Sequence, residues 1–194
     1  GRVNGMYATA GGSGGTLPIQ CMFFPANSFL ELKLTGLQKE VMRESMHISL
    51  TLAWNLSSAD KQKQIRERYD SSDNKCGINI HTGDGSCPKD GPSGGCAITV
   101  ALYSLLHGIP VKPQFGITGE IQLNGAISEI GGLDHKILGA IREGVTGFVY
   151  PKENQRDCDA LIKKYADTDK LANISFYPVQ HIEEALDILL LEYS

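Results

Sequence analysis

A chain of 194 residues, 41% hydrophobic and 21% charged, can bury a substantial core and falls within the usual size of one domain. Its 18 basic and 22 acidic residues leave a net charge of -4, no cationic footprint for phosphate backbones or anionic lipid, so nucleic acid and membrane surfaces are not expected partners. No run approaches the roughly 20 apolar residues of a bilayer span.

Residues 1–5 do not form a signal peptide. The five cysteines, Cys21, Cys76, Cys87, Cys96 and Cys158, are odd in number and lack the paired spacing of zinc or redox motifs. A reduced, soluble, intracellular setting, cytoplasm or organelle matrix, is therefore expected. The chain starts at Gly1 and is in strand-like sequence by Val3, which suggests a fragment of something longer.

The opening third alternates apolar and polar residues over positions 6–8, 17–24 and 29–34, between glycine, proline and asparagine punctuation, and predicts a small antiparallel sheet. The glycine run 11–15 lacks the lysine and following helix of a nucleotide-binding loop, and is expected to be a flexible hairpin loop. From Leu37 the period changes: Leu37, Val41, Met42, Ser45, Ile48 and Leu52 trace one helical stripe, predicting a helix to about Asn55. The charged stretch 57–75 is expected to be a surface loop with at most a short helical turn. A short strand at 76–81 leads into a glycine-rich loop over 83–92.

A second helix is predicted over 93–106, with Ser93 a candidate N-cap, Gly108 a C-cap and Pro110 a stop. Short strands follow near 115–118, 120–123 and 126–130, then a helix over 133–143 ended by Gly144. The remainder alternates strand 147–150, helix 158–165, strand 174–177 and helix 181–191. This order predicts an α+β fold of several small sheets and about five to six helices, with residues 1–194 forming a single domain.

Two residues break local rules. Lys136 falls on the same face of the third helix as Leu133, Ile137, Ala140 and Ile141. It either snorkels to water or is held in an apolar pocket, where lost hydration lowers its pKa and fits it to accept a proton. Ser93 lies between Gly91-Pro92 and Gly94-Gly95. It is either an N-cap or an exposed nucleophile at the positive end of a helix, where backbone N–H groups stabilise an oxyanion.

The segment Pro88-Lys89-Asp90-Gly91-Pro92-Ser93-Gly94-Gly95 resembles the serine motif of Lon-type ATP-dependent proteases. Thr118-Gly119-Glu120-Ile121-Gln122-Leu123-Asn124-Gly125 and Ile130-Gly131-Gly132-Leu133-Asp134-His135-Lys136 resemble that family's lysine region, in the same order and spacing. The likeness extends back through residues 35–45 and forward through Arg142-Glu143-Gly144-Val145 and Pro151-Lys152-Glu153-Asn154, covering nearly the whole chain.

The resemblance implies the Lon proteolytic domain fold and a serine endopeptidase with a Ser93–Lys136 dyad. It also implies that Thr118 orients the lysine amine, that the backbone from Gly91 through Pro92 to Ser93 forms the oxyanion site, that Asp90 gates or shapes the site, and that His81 lies near it. It implies no cofactor in this domain; ATP and Mg2+ belong to an ATPase domain outside the chain, as do the N-terminal domains. Unfolded or damaged proteins are the implied substrates, and a homo-hexamer the implied assembly. The sequence departs from the family pattern at Gly94, where alanine is common, at Asn79, where a second histidine often stands, and at Thr82-Gly83, where Val-Pro is frequent.

Three other readings stand beside this one. The domain could be a non-catalytic assembly module. It could be a cysteine–histidine or serine–histidine hydrolase, since Cys96 lies one turn beyond Ser93. Asp70, Asp73 and Asn74 form an acidic cluster, but no glutamate stands where a calcium loop needs one.

Overall fold

The computed structural model describes residues 1–36, 38–83 and 91–191; Leu37, Cys87 and Asp90 lie outside them. The strands are β1 (Arg2–Ala8), β2 (Gly14–Pro25), β3 (Leu32–Thr35), β4 (Asp70–Ser71), β5 (Asn74–Thr82), β6 (Phe115–Ile117), β7 (Glu120–Ile121), β8 (Ile127–Ser128), β9 (Gly147–Pro151) and β10 (Ser175–Val179). The helices are α1 (Glu40–Leu56), α2 (Ala59–Tyr69), α3 (Gly95–His107), α4 (Leu133–Arg142), α5 (Gln155–Lys164) and α6 (Ile182–Leu189). The α+β class holds. None of the described helices is long and apolar enough to cross a membrane.

The strands that local sequence spaces apart assemble into one mixed sheet of order β10-β9-β6-β1-β2-β5-β3, with β4 paired to β5; β7 and β8 form a separate ribbon. β1 and β2 make the expected antiparallel hairpin, in register from Arg2↔Gln20 to Ala8↔Gly14. β3, however, joins β5 in parallel, Leu32 opposite Ile78, so the opening third is one part of a larger sheet rather than a small antiparallel one. Alternation along a strand says which residues share a face; it does not say which distant strand will pair with it.

That alternation divides the core. Val3 and Val149 pack with Ile19, Ile78, Ile80, Ile98 and Leu102. Met6 and Phe148, on the opposite faces of the same strands, pack with Leu133, Ile137, Ala140 and Leu161. The first cluster lies under α1, α3 and α6, the second under α4 and α5. Helix α3 is apolar on every side: Cys96, Ala97, Ile98, Val100, Ala101 and Leu102 are fully buried, as in a helix enclosed by other elements. It ends as expected at Gly108, in the left-handed conformation with φ 67°.

Helix α2 occupies much of the stretch expected to be a loop. Its N-cap Ser58 accepts a hydrogen bond from the Lys61 N–H at 3.2 Å, and Ile65 is its only buried residue. One buried side chain in eleven residues leaves no stripe to detect. The Arg66 guanidinium lies over the rings of Phe29 at 5.1 Å and Trp54 at 5.3 Å, so a charged residue supplies part of the packing. In the acidic cluster Asp70 pairs with Arg66 at 3.2 Å, and Ser71 and Asn74 face each other across β4 and β5.

The glycine run of the first hairpin has a packing role that its composition did not suggest. Its turn is closed by the Thr9 N–H donating to the Ser13 carbonyl at 2.8 Å, with Gly12 at φ 83°. A Cβ on Gly14 would strike the His135 carbonyl, and one on Gly139 would strike the Gly14 carbonyl. Helix α4 therefore lies backbone against backbone on the start of β2. Gly139→Ala should lower unfolding stability by about 1–3 kcal/mol, as overpacking does. Gly94→Ala, whose new Cβ would make ordinary contacts at 3.8 and 3.9 Å with Ile98 and Met42, should fall within about 0.5 kcal/mol of wild type in the same denaturant melts.

Candidate active site

Ser93 sits in a 3-10 turn, Pro92–Gly94, ahead of α3. The N-cap positions of the turn and the helix are Gly91 and Gly94, and neither is capped by a side chain. Ser93 is thus not the N-cap that the sequence allowed; the inserted turn moves the helix start two residues on. Gly91 adopts φ 117°, a conformation that favours glycine, and no described atom lies within 4 Å of where a Cβ would stand. Gly95 lets the helix start approach β7, since a Cβ there would lie 2.5 Å from Ile121 Cγ2.

The turn is tied to the segment that carries Thr118. The Gly119 N–H donates to the Ser93 carbonyl, and the Cys96 N–H donates to the Gly119 carbonyl, each at 3.1 Å. A side chain at Gly119 would lie 2.8 Å from both Cys96 Sγ and Ile127 Cγ2. Thr118, 1% exposed, is anchored by its own N–H to the Val149 carbonyl at 3.1 Å. Its Oγ1 accepts a hydrogen bond from Lys136 Nζ at 3.1 Å.

Lys136 is 3% exposed, so it does not snorkel into bulk water. Burial pushes its pKa down from 10.5 to about 8, because taking an ammonium out of water penalises the charged form. Among the described residues no carboxylate lies within ion-pair distance of the amine to reverse that effect. The lysine is carried by α4, which Gly132 opens in the left-handed conformation, φ 69°.

Ser93 and Lys136 line one cavity of about 960 Å3. Its walls come from β1 and the start of β2 (Tyr7, Leu17, Ile19), α1 (Met42), the turn (Pro92, Gly94), β7 (Glu120) and the loop 129–131. The lining mixes apolar side chains with polar ones, among them Thr9, Ser13, Thr16 and Glu129. Sequence reasoning did not single out Met42, Glu120 or the loop 129–131 as cavity walls. Glu120 and the end of the loop do fall inside the quoted motifs, which is the signal that was there to follow.

The remaining candidates divide. Pro92 lines the cavity, whereas His81 does not: its Nδ1 is 2.9 Å from Thr35 Oγ1, across β3 and β5, and only Gly83, two residues on, reaches the cavity wall. Asn79 donates to the Lys33 carbonyl at 2.8 Å on the same sheet edge. Asp90 lies outside the described residues. Cys96, the alternative nucleophile, is fully buried, and burial drives its thiol far above the usual range, which removes the thiolate a cysteine hydrolase needs. His135 is partly exposed beside Asp134, at 3.9 Å.

Residues 1–192 match the family described as the Lon protease (S16) C-terminal proteolytic domain. A Lon protease homolog of Acanthamoeba polyphaga mimivirus is 40% identical over 169 residues, 84% of this chain and 16% of that protein. The Lon protease of Brevibacillus choshinensis is 36% identical over 186 residues, 96% of this chain and 22% of that protein. That of Methanosarcina barkeri is 38% identical over 188 residues, 96% of this chain and 21% of that protein. The chain spans about a fifth of the length of these curated relatives. With a buried lysine and a serine turn joined through Thr118 and Gly119 beside one shared cavity, and with this match along almost its entire length, the chain belongs to the Lon protease C-terminal proteolytic domain family.

Proposed function

We propose that this domain is a serine endopeptidase in which Ser93 is the nucleophile and Lys136 the general base. The observation that carries the reading is the hydrogen-bonded path from Lys136 Nζ to Thr118 Oγ1, and from the neighbouring Gly119 N–H to the Ser93 carbonyl, bordering one shared cavity. The neutral amine takes the proton from Ser93 Oγ as that oxygen attacks the scissile carbonyl carbon. Backbone N–H groups of Gly91 and Ser93 stabilise the tetrahedral oxyanion; Pro92 has none to offer. The ammonium then protonates the leaving amine as the C–N bond breaks, leaving an ester on Ser93. Water, deprotonated by the same amine, hydrolyses the ester and restores both groups. Thr118 positions the amine, and Asp90 takes the gating or shaping role that the family resemblance implies.

Residues 1–194 act in this reading as one proteolytic domain of a longer, soluble, intracellular protein, with unfolded or damaged proteins as substrates. The sequence holds no Gly-x-x-x-x-Gly-Lys-Ser/Thr motif, so ATP and Mg2+ are assigned to a separate ATPase domain. The full protein is proposed to be a homo-hexamer. The fivefold greater length of the relatives supports these assignments.

In the full-length protein, Ser93→Ala and Lys136→Met should each cut hydrolysis of a fluorogenic peptide by at least about 1000-fold with the fold intact; equal rates for wild type and Ser93→Ala would refute the assignment. Because the base must be neutral, kcat/KM should rise with pH through an apparent pKa of about 8 and then level off. An ascending limb near 6.5 would point to a histidine instead.

The same burial has a cost in stability. Between pH 8 and 10.5 the unfolded lysine holds a proton that the folded one has released, so stability contributed by this group rises with pH there and is lowest below 8. The full penalty is about 3 kcal/mol. Lys136→Met should therefore raise the melting temperature at pH 7, and that advantage should shrink as pH approaches 10.5. A lysine that melts no lower than the methionine variant at pH 7 would contradict the dry pocket.

A further inference from the structure

The cavity wall beside Lys136 is a stretch of backbone with no strand to support it. Residues 129–131 leave the β7–β8 ribbon after Ser128 and enter α4 at Gly132. Ile130 packs against the second core cluster, but a Cβ on Gly131 would meet no described atom within 4 Å, so the end of this wall has open space beside it.

Its backbone is hydrogen-bonded by the Pro151-Lys152-Glu153-Asn154 motif, which the proposed mechanism leaves without a role. Asn154 is 2% exposed. Its Oδ1 accepts the Ile130 N–H at 3.0 Å, and its Nδ2 donates to the Ile130 carbonyl at 2.8 Å. One side-chain amide thus gives Ile130 the acceptor and donor that a neighbouring strand would supply. Glu153 Oε2 adds a third bond, accepting the Glu129 N–H at 3.0 Å. Asn154 occupies the N-cap position of α5, where its side chain would normally cap the helix, yet it makes no capping bond. Its amide is turned to the loop and steadied by Asp157 Oδ2 at 2.8 Å.

We propose that Asn154, with Glu153, is a positioning residue for the protease: the two side chains fix the 129–131 wall against the cavity, keeping water from Lys136 and holding the substrate channel in shape. This rests on the Ser93–Lys136 reading of the site. If the wall loosens, water reaches the amine, its charged form is stabilised, and the fraction of neutral base at a given pH falls. The titratable groups that face the amine's cavity among the described residues are Tyr7 on β1, Glu120 on β7 and Glu129 in the wall itself, with Asp134 and His135 adjacent on α4. Glu129 is retained in the variants below; a closer approach of its carboxylate to the amine would favour the ammonium as wetting does, whereas its withdrawal would act the other way.

The test uses the full-length protein, a fluorogenic peptide and a pH series from 6 to 10.5. Asn154→Ala should lower kcat/KM at pH 8 by roughly 10–100-fold, as a small misplacement of catalytic groups does, and should move the ascending limb to higher pH by about one unit, towards the value of a hydrated lysine. Glu153→Ala, at an exposed position, removes only one bond and should move the limb the same way by less. It decides the matter if Asn154→Ala fails to fold. Asn154→Asp keeps the acceptor for the Ile130 N–H but loses the donor, and should fall between alanine and wild type. A lower rate with an unmoved limb in both folded alanine variants would reduce Asn154 to a structural residue and overturn the proposal. Ser93→Ala run in parallel separates the two claims: activity surviving there sinks the dyad, whereas an inactive Ser93→Ala beside unchanged pH profiles in the alanine variants sinks only the clamp.

Discussion

The site depends on a single buried hydrogen bond, from the amine of Lys136 to the hydroxyl of Thr118. A lysine that reached water would be a charged surface group at neutral pH, with no capacity to accept a proton. Enclosed, it loses the hydration that makes its charged form so stable, and its pKa falls to about 8. The hydroxyl partner matters because it holds the amine at a fixed point while bringing no charge of its own. A carboxylate in that place would restore the ammonium and undo the effect of burial.

Much of the rest of the fold can be understood as maintaining that enclosure. Helix α4 must lie close on β2 to bring the lysine inward, and two glycines, Gly14 and Gly139, permit the backbones to touch. The segment holding Thr118 must lie equally close on the start of α3, and Gly95 and Gly119 perform the same service there. Because the Gly119 N–H binds the carbonyl of Ser93 itself, the contact that sets Thr118 also sets the serine turn. The two groups of the proposed dyad, far apart in sequence, are thereby referred to one rigid junction, as the positioning of reacting groups requires.

What could be read beforehand follows from the range of the forces involved. The apolar stripe that exposed Lys136 as an anomaly is a local pattern, and so are the stop at Gly108 and the hairpin of β1 and β2; each appeared where the sequence placed it. Helix α2 was not legible because its stability comes from Ser58, Ile65 and the stacking of Arg66 on Phe29 and Trp54, a mixture with no hydrophobic period. The parallel pairing of β3 with β5 was hidden because the partners are some 45 residues apart in register. Ser93 was read as a possible cap because serine before an apolar run usually is one; the intervening 3-10 turn depends on contacts with Gly119 that no local window contains. The family resemblance drew attention to the residues of the site, but the bonds that place them are long-range and became visible only in three dimensions.

The proposed use of lysine rather than histidine as the base has a structural consequence. Histidine needs no dry pocket, since its ordinary pKa already lies near neutrality. Lysine reaches a useful value only while its surroundings exclude water, so its basicity becomes a measure of how well the cavity is closed. Every element of the wall then acts on the chemistry without touching substrate: the hairpin through Leu17 and Ile19, α1 through Met42, and the 129–131 loop through its backbone. Most of these walls are supported by the sheet or by helix packing. The loop differs in that, beside the packing of Ile130 on the second core cluster, its backbone is bonded by side chains from the turn before α5. A base tuned by desolvation is sensitive wherever its enclosure rests on few bonds, and in this fold one such place is the short stretch of backbone held by Asn154 and Glu153.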